Sequence, residues 1–258
     1  MTKTFIILLA GLASSIAGYA QEFKVAKSTG RLLIMEVNNV SIEGHSGNEI
    51  IFISKNFTGE KDDRAKGLRA ISSLGLEDNS GLGLSVIEKG EMIEVRQLKK
   101  TEGPEITIRV PNGVAVSYMH SSPYGKEVEI KNFAGEIAIT SVHSGVVLTN
   151  TTGKTAVKTV HGNIEAALAN PLSGSVSLES VHGHVDVALP TATKASLTLG
   201  ANWGEVLIDP DFKIELERSG ELVNYGSKIR GKINGGGTEM VFTSDHDNVY
   251  LRKAATAR

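Results

Sequence analysis

The sequence predicts an all-β protein wound as a parallel β-solenoid, with coils of about 21 residues stacked on one another. Three observations predict it. Val160-His161-Gly162 recurs as Val181-His182-Gly183 and, with one extra serine, as Val142-His143-Ser144-Gly145, and the frame continues to Trp203-Gly204, Tyr225-Gly226 and His246-Asp247, with His120 one step earlier. Flanking positions alternate apolar and polar at period two, in register across units. The chain carries 28 glycines against 6 prolines and only 5% aromatic residues, which suits short strands separated by corners.

Taken in order, residues 1–20 have the form of a secretory signal peptide: Lys3, an apolar run from Phe5 to Ile16, and small residues at Gly18 and Ala20. No later apolar run is as long, so no membrane-spanning segment is expected once the signal is removed. The chain has no cysteine, so its stability must come from packing. A formal net charge of −2 with scattered Lys and Arg argues against nucleic acid as a partner.

The mature chain, 21–258, is expected to form one solenoid domain, irregular over 21–113 and regular over 114–253. Strands are expected at Glu22-Phe23-Lys24-Val25, Leu32 to Val37, Val40 to Gly44 and Ile50 to Ile53. An excursion near 55–90 follows, containing the charge run Glu60 to Arg64. Gly81-Leu82-Gly83 lacks the further glycine and lysine of a phosphate loop and reads as a turn. Strands resume at Ser85 to Ile87, Ile93 to Val95 and Ile106 to Pro111.

In the repeats, stacking should place Ile139, Val157, Leu178 and Leu199 over one another, with Phe242 in the same column of the alignment. A small column reads Ser141, Thr159, Ser180, Ala201 and Ser244, and beyond the corner come Val147, Ile164, Val185, Val206 and Val249. Corner glycines are expected where the bend needs positive φ. The Tyr225 unit breaks the pattern, so a distortion or insertion is expected between Asp209 and Gly231. An antiparallel sandwich also uses alternating strands and glycine turns, but it does not require columns to match across units.

The repeats, the leader, and the ending Ile233-Asn234-Gly235-Gly236-Gly237 with Asn248 to Lys253 together resemble a bacterial family of putative adhesins, from about Val37 to Lys253 and including the Asp78 to Gly83 loop. The Gln21-Glu22-Phe23 start resembles exported proteins of Bacteroidetes. The resemblance implies an exported β-solenoid acting in the periplasm, at the outer surface or after secretion. It implies envelope interaction and supplies no catalytic residues.

The expected function is therefore non-enzymatic: a rigid surface for an envelope protein or glycan, with no catalytic, cofactor-binding or metal-ligating residue assigned. His143, His161 and His182 should form a column continued by Trp203 and Tyr225, read as a stacked corner ladder. Metal binding by two such imidazoles is the chemical alternative. His45 and His184 are expected in exposed turns. Glu165 and Asp186 should be outward neighbours flanked by Leu148 and Leu207, and Lys158 should pair with Glu179. A polysaccharide-acting enzyme would need Glu165, Asp186 and a basic residue gathered together. The exposed end strands of a solenoid invite aggregation, so the strands before Lys55 or the 55–90 excursion are expected to cap one end.

Overall fold

The computed structural model describes residues 21–54, 64, 68, 71–217 and 228–254. The expected signal peptide, most of the charge run and Tyr225 lie outside the described residues. The strands are β1 (Gln21–Ala26), β2 (Gly30–Met35), β3 (Val40–His45), β4 (Glu49–Ser54), β5 (Leu84–Lys89), β6 (Met92–Gln97) and β7 (Ile106–Pro111). Next come β8 (Val114–His120), β9 (Val128–Lys131), β10 (Ile137–Ser141), β11 (Val146–Thr151), β12 (Thr155–Thr159), β13 (Ile164–Leu168), β14 (Val176–Ser180) and β15 (Val185–Leu189). The chain ends with β16 (Ala195–Ala201), β17 (Val206–Ile208), β18 (Ile214–Leu216), β19 (Ile229–Ile233), β20 (Thr238–Ser244) and β21 (Val249–Lys253).

These strands form two mostly parallel sheets, and each coil gives one strand to each. The apolar members of both sheets are buried in one core. Alternation decides which side faces it: in β10, Ile137 and Ile139 are buried while Ala138 and Thr140 are not. At about 1.5–3 kcal/mol per buried aliphatic side chain, these columns supply the main stabilisation of the winding.

From β8 to β15, coils stack in sequence order. Ile139 lies beside Val157, and Val157 beside Leu178, as the alternation predicts. At both ends the order changes. Leu178 neighbours Phe242, and Phe242 in turn neighbours Leu199, because the last coil (β20/β21) slots between β14/β15 and β16/β17. The expectation that Leu199 lies directly on Leu178 is therefore corrected. The first coil is placed in the same way: β2 lies between β6 and β8, and β3 between β7 and β9.

Antiparallel strands end three of the four sheet edges, and among the described residues β17, parallel to β21, is the fourth. At the N-terminal side β4 pairs with β7 and β1 with β4, while β5, from the excursion, pairs with β6. Of the strands before Lys55, β1 and β4 cap this end while β2 and β3 lie inside the stack, and the excursion contributes β5. On the other side β19 pairs with β16 and β18 with β19, which accounts for the broken repeat between Asp209 and Gly231. Reversing strand direction at the ends gives the outer backbone groups of β7, β6 and β16 their partners.

Two details of register also differ from expectation. Val146, not Val147, pairs with Ile164, because Ser144 occupies the glycine position rather than being inserted before it. His120 pairs with Ser141, so it belongs to the small column and not to the histidine column. The corner glycines have a different physical cause from the expected one. Gly162, Gly183 and Gly204 are not among the positive-φ residues. A Cβ on them would overlap the carbonyl oxygens of Ser144, Gly162 and Asp247 respectively, each on the adjoining coil.

Candidate interaction surface: a histidine and tryptophan ladder

The corners after β10, β14 and β20 are built the same way. A hydroxyl closes the turn: Ser141, Ser180 and Ser244 Oγ accept the backbone N–H three residues on, at 3.0, 2.9 and 3.0 Å. Ser180 and Ser244 Oγ also donate to the carbonyl oxygens of Gly162 and Gly183 on the preceding coil, at 3.1 and 2.9 Å. Backbone bonds from His161 to Val142, His182 to Val160, His246 to Val181 and Trp203 to Asp245, 2.8–2.9 Å long, hold the residues just past the ends of β12, β14, β20 and β16 in line.

The rings at those positions stack. His143 and His161 are 5.4 Å apart between centroids with planes 14° apart; His161 and His182 are 4.9 Å and 6°; His182 and His246 are 4.6 Å and 17°. Trp203 lies parallel to His246, at 6.4 Å and 1°. The column is thus four histidines ending in tryptophan, with His246 where Trp203 was expected. All four histidines are exposed, and Trp203 is 80% exposed, so the ladder projects from the corner instead of covering the core edge.

Face-to-face stacking decides what these rings can bind. An imidazole ligates through a nitrogen lone pair in the ring plane, at about 2.0–2.1 Å from zinc. Nearly parallel rings with centroids 4.6–5.4 Å apart direct those lone pairs side by side rather than toward one point. Among the described residues no three histidine or acidic side chains could hold a metal ion together. What the ladder offers outward is a row of ring edges, each with one N–H donor and one nitrogen acceptor in the neutral ring.

The other sequence-selected residues fall elsewhere. His45 organises its own turn, accepting the Gly47 N–H at Nδ1, 2.9 Å away, and meeting the Glu49 carbonyl at 2.9 Å. His184 is half-buried, edge-on to Tyr250 at 6.1 Å and 3.8 Å from Glu165. Neither is a free turn residue. Glu165 and Asp186 are neighbours as expected, but their flanking residues are Val147 and Tyr250. Arg252 Nε donates to both Asp186 oxygens at 2.8 and 2.7 Å. Lys158 pairs with Glu179 at 3.7 Å.

Sequence reading missed a buried cluster at the first-coil insertion. Asn38, in the β2–β3 turn, receives the His120 Nε2 proton at 3.0 Å, and its backbone N–H donates to Gln97 Oε1 at 3.1 Å. One residue thereby fastens the inserted coil to both its neighbours. The Glu36 carboxylate adds bonds from Ser121 N and Oγ at 3.1 and 2.7 Å. His120 Nδ1 and Ser144 Oγ are buried without partners. Burial holds the His120 imidazole below its ordinary range, partly offset by Glu36, while His143 adds to the depression. The Tyr118 phenol, buried and bonded to the Val37 carbonyl at 3.0 Å, is pushed up by the same desolvation.

The Toastrack DUF4097 family model matches residues 125–234. The Toastrack match takes in His143, His161, His182 and Trp203 and stops short of the inserted last coil. Among solved structures, a putative cell adhesion protein from Clostridium sporogenes is similar at 12% identity and a TM-score of 0.43, covering 92% of this chain and 100% of that one. A putative adhesin from Bacteroides fragilis is similar at 10% identity and a TM-score of 0.33, covering 92% and 98%. No curated protein matches the chain.

Proposed function

We propose that the protein is a non-enzymatic, exported component of the cell envelope, whose solenoid presents its laddered corner to a protein or glycan. The observation that carries this reading is the ladder itself: exposed rings held in line at the spacing of the strands beneath them. A hydrogen-bonded corner fixes each rung before any partner arrives, so little ordering cost is left for binding. A partner with a repeat of its own can engage several rungs together, each later contact being intramolecular. The apolar leader at residues 5–16 supports export.

A second reading, a polysaccharide-acting enzyme, draws on Glu165, Asp186 and Arg252 lying together. Arg252 is already bonded to both Asp186 oxygens and cannot lose its proton near neutrality, so it is not a base. The group reads as an exposed ion pair on the sheet face.

Cell fractionation combined with a binding screen of the purified chain against envelope proteins and glycans tests the proposal. Envelope localisation and a saturable partner lost on replacing His161 and His182 together with alanine are expected. A cytoplasmic protein, or turnover of a polysaccharide by the purified chain, would overturn it.

A further inference from the structure

We infer that Glu36 and His120 form a pH-operated latch on the strap of residues 121–126, releasing its tip beside the first rung of the ladder when His120 takes up a proton. The device goes beyond the proposed function, since it acts within the chain and its test needs no partner. The strap lies between β8 and β9 and packs over His120, whose side chain is fully buried. Gly125 touches the ring: a Cβ there would sit 2.3 Å from His120 Cε1. The Val142 N–H donates to the His120 carbonyl at 2.9 Å, so the strap starts beside the coil that carries His143.

Two residues of the β2–β3 turn tie the strap down. Glu36 Oε1 accepts from Ser121 N and Oγ at 3.1 and 2.7 Å, and Oε2 accepts from Ser121 N and Ser122 N at 3.2 and 3.3 Å. At the far end the Lys126 N–H donates to the Asn38 carbonyl at 2.7 Å. Between these ties lies the exposed Tyr124, its N–H on Ser122 Oγ at 3.3 Å. Glu36 itself is held at φ +52°, a left-handed conformation that strains any residue with a Cβ. Its own N–H, bonded to the Met119 carbonyl at 2.9 Å, fixes the backbone from which the carboxylate reaches the strap.

The same carboxylate is within reach of the imidazole. Glu36 Oε2 lies 3.9 Å from His120 Nε2. While the ring is neutral, its Nε2 proton goes to Asn38 Oδ1 at 3.0 Å and no charge competes for Glu36. Protonation places a positive charge beside Oε2, and a charge-assisted contact is stronger than one to a neutral amide. Oε2 then gives up the Ser122 N–H, the longest of its bonds, for the imidazolium, and the tip of the strap loses its anchor. The new Nδ1 proton also has an acceptor at hand. Nδ1 and Ser144 Oγ are both buried without partners, and both border Gly125, where a Cβ would lie 2.7 Å from one and 2.3 Å from the other.

Three titratable groups face His120: Glu36 from the β2–β3 turn, His143 from the corner after β10, and Tyr118 on its own strand, stacked on the ring at 5.8 Å and 3°. Glu36 favours the charged ring and His143 opposes it, while desolvation keeps Tyr118 protonated. Lys100 and Lys126 meet Asn38 through backbone groups, the Lys100 carbonyl accepting from Asn38 Nδ2 at 3.0 Å. Burial depresses the His120 pKa, which puts the latch on the acid side of neutrality.

The test is an NMR titration of the purified mature chain from about pH 8 to about pH 5, following the His120 ring and the strap amides, with amide exchange corrected for its intrinsic pH dependence. The Ser121 and Ser122 amides should titrate with the midpoint of the His120 ring. Exchange at Ser122 to Gly125 should rise about tenfold or more on the acid side, while β10 to β15 keep their protection. His120→Gln should abolish the response of the strap. Glu36→Gln should abolish it too, while the His120 ring still titrates with a lowered midpoint. Should His120→Gln fail to fold, Glu36→Gln carries the test, because that side chain is 43% exposed. A ring that does not titrate in this range, strap amides indifferent to its titration, a response that survives in Glu36→Gln, or a strap that opens only together with β10 to β15 would overturn the latch.

Discussion

The middle of this molecule and its two ends obey different rules. From β8 to β15 each coil lies on the one before it in sequence, so local alternation and register are sufficient to describe the packing. At the ends the terminal coil lies one level inside the outermost one, giving β2 and β20 parallel partners on both sides. The difference teaches that a repeat specifies what a coil can pair with, while the order of pairing follows from which coil can tolerate an unpaired side. Antiparallel strands cover the outer edges of β7, β6 and β16, while β17 is left as an edge among the described residues.

Removing the inserted coil should have the largest effect. A chain ending at Gly237 would separate β14 from β16 by an empty level and expose Leu178 and Leu199; the expected outcome is loss of cooperative unfolding and aggregation, seen by circular dichroism and size exclusion. A soluble truncation with a sharp transition would show that the last coil is an addition rather than a filler. Phe242→Ala, at a fully buried position between those two leucines, should cost about 3–5 kcal/mol in urea unfolding. Gly183→Ala sharpens the account of the middle: the added methyl meets the Gly162 carbonyl, and a cost of about 1–3 kcal/mol is expected from the shift it forces.

A fourth prediction concerns the first-coil insertion. The folded-state pKa of His120 is depressed by burial, so the unfolded chain takes up the proton first as pH falls. Its contribution to stability is therefore complete above about pH 6.5 and declines as pH drops from there through the folded value. His120→Gln, which retains a donor toward Asn38, should flatten that slope between pH 7 and 5 in denaturation curves; an unchanged slope would remove His120 from the account. Smallest of all should be His161→Ala, an exposed rung, at about 0.5 kcal/mol or less.

The columns were legible because burial repeats: Val157, Leu178 and Phe242 could each be placed on an inward position by period two alone. Stack order was harder, since alternation is blind to which coil comes next. A signal did exist. Ser180 and Ser244 each send a hydroxyl to the preceding coil, whereas the matching residue in the Trp203 unit is Ala201, with none to send. Likewise Asn248 Oδ1 accepts from Glu205 N, as Asn163 Oδ1 accepts from His184 N, which makes the His246 unit the link between the other two. The Asn38 and His120 bolt was not legible, because its members lie 82 residues apart and share no spacing pattern.

Tucking each terminal coil one level inward has a mechanical consequence. A tether pulling on the chain near Lys253 loads β21, which is hydrogen-bonded to β15 on one side and β17 on the other. The stack cannot be unzipped rung by rung from that handle, because two seams must shear together before the first coil comes away. A protein anchored at one terminus and gripped along its corner would resist traction with its best-supported layer.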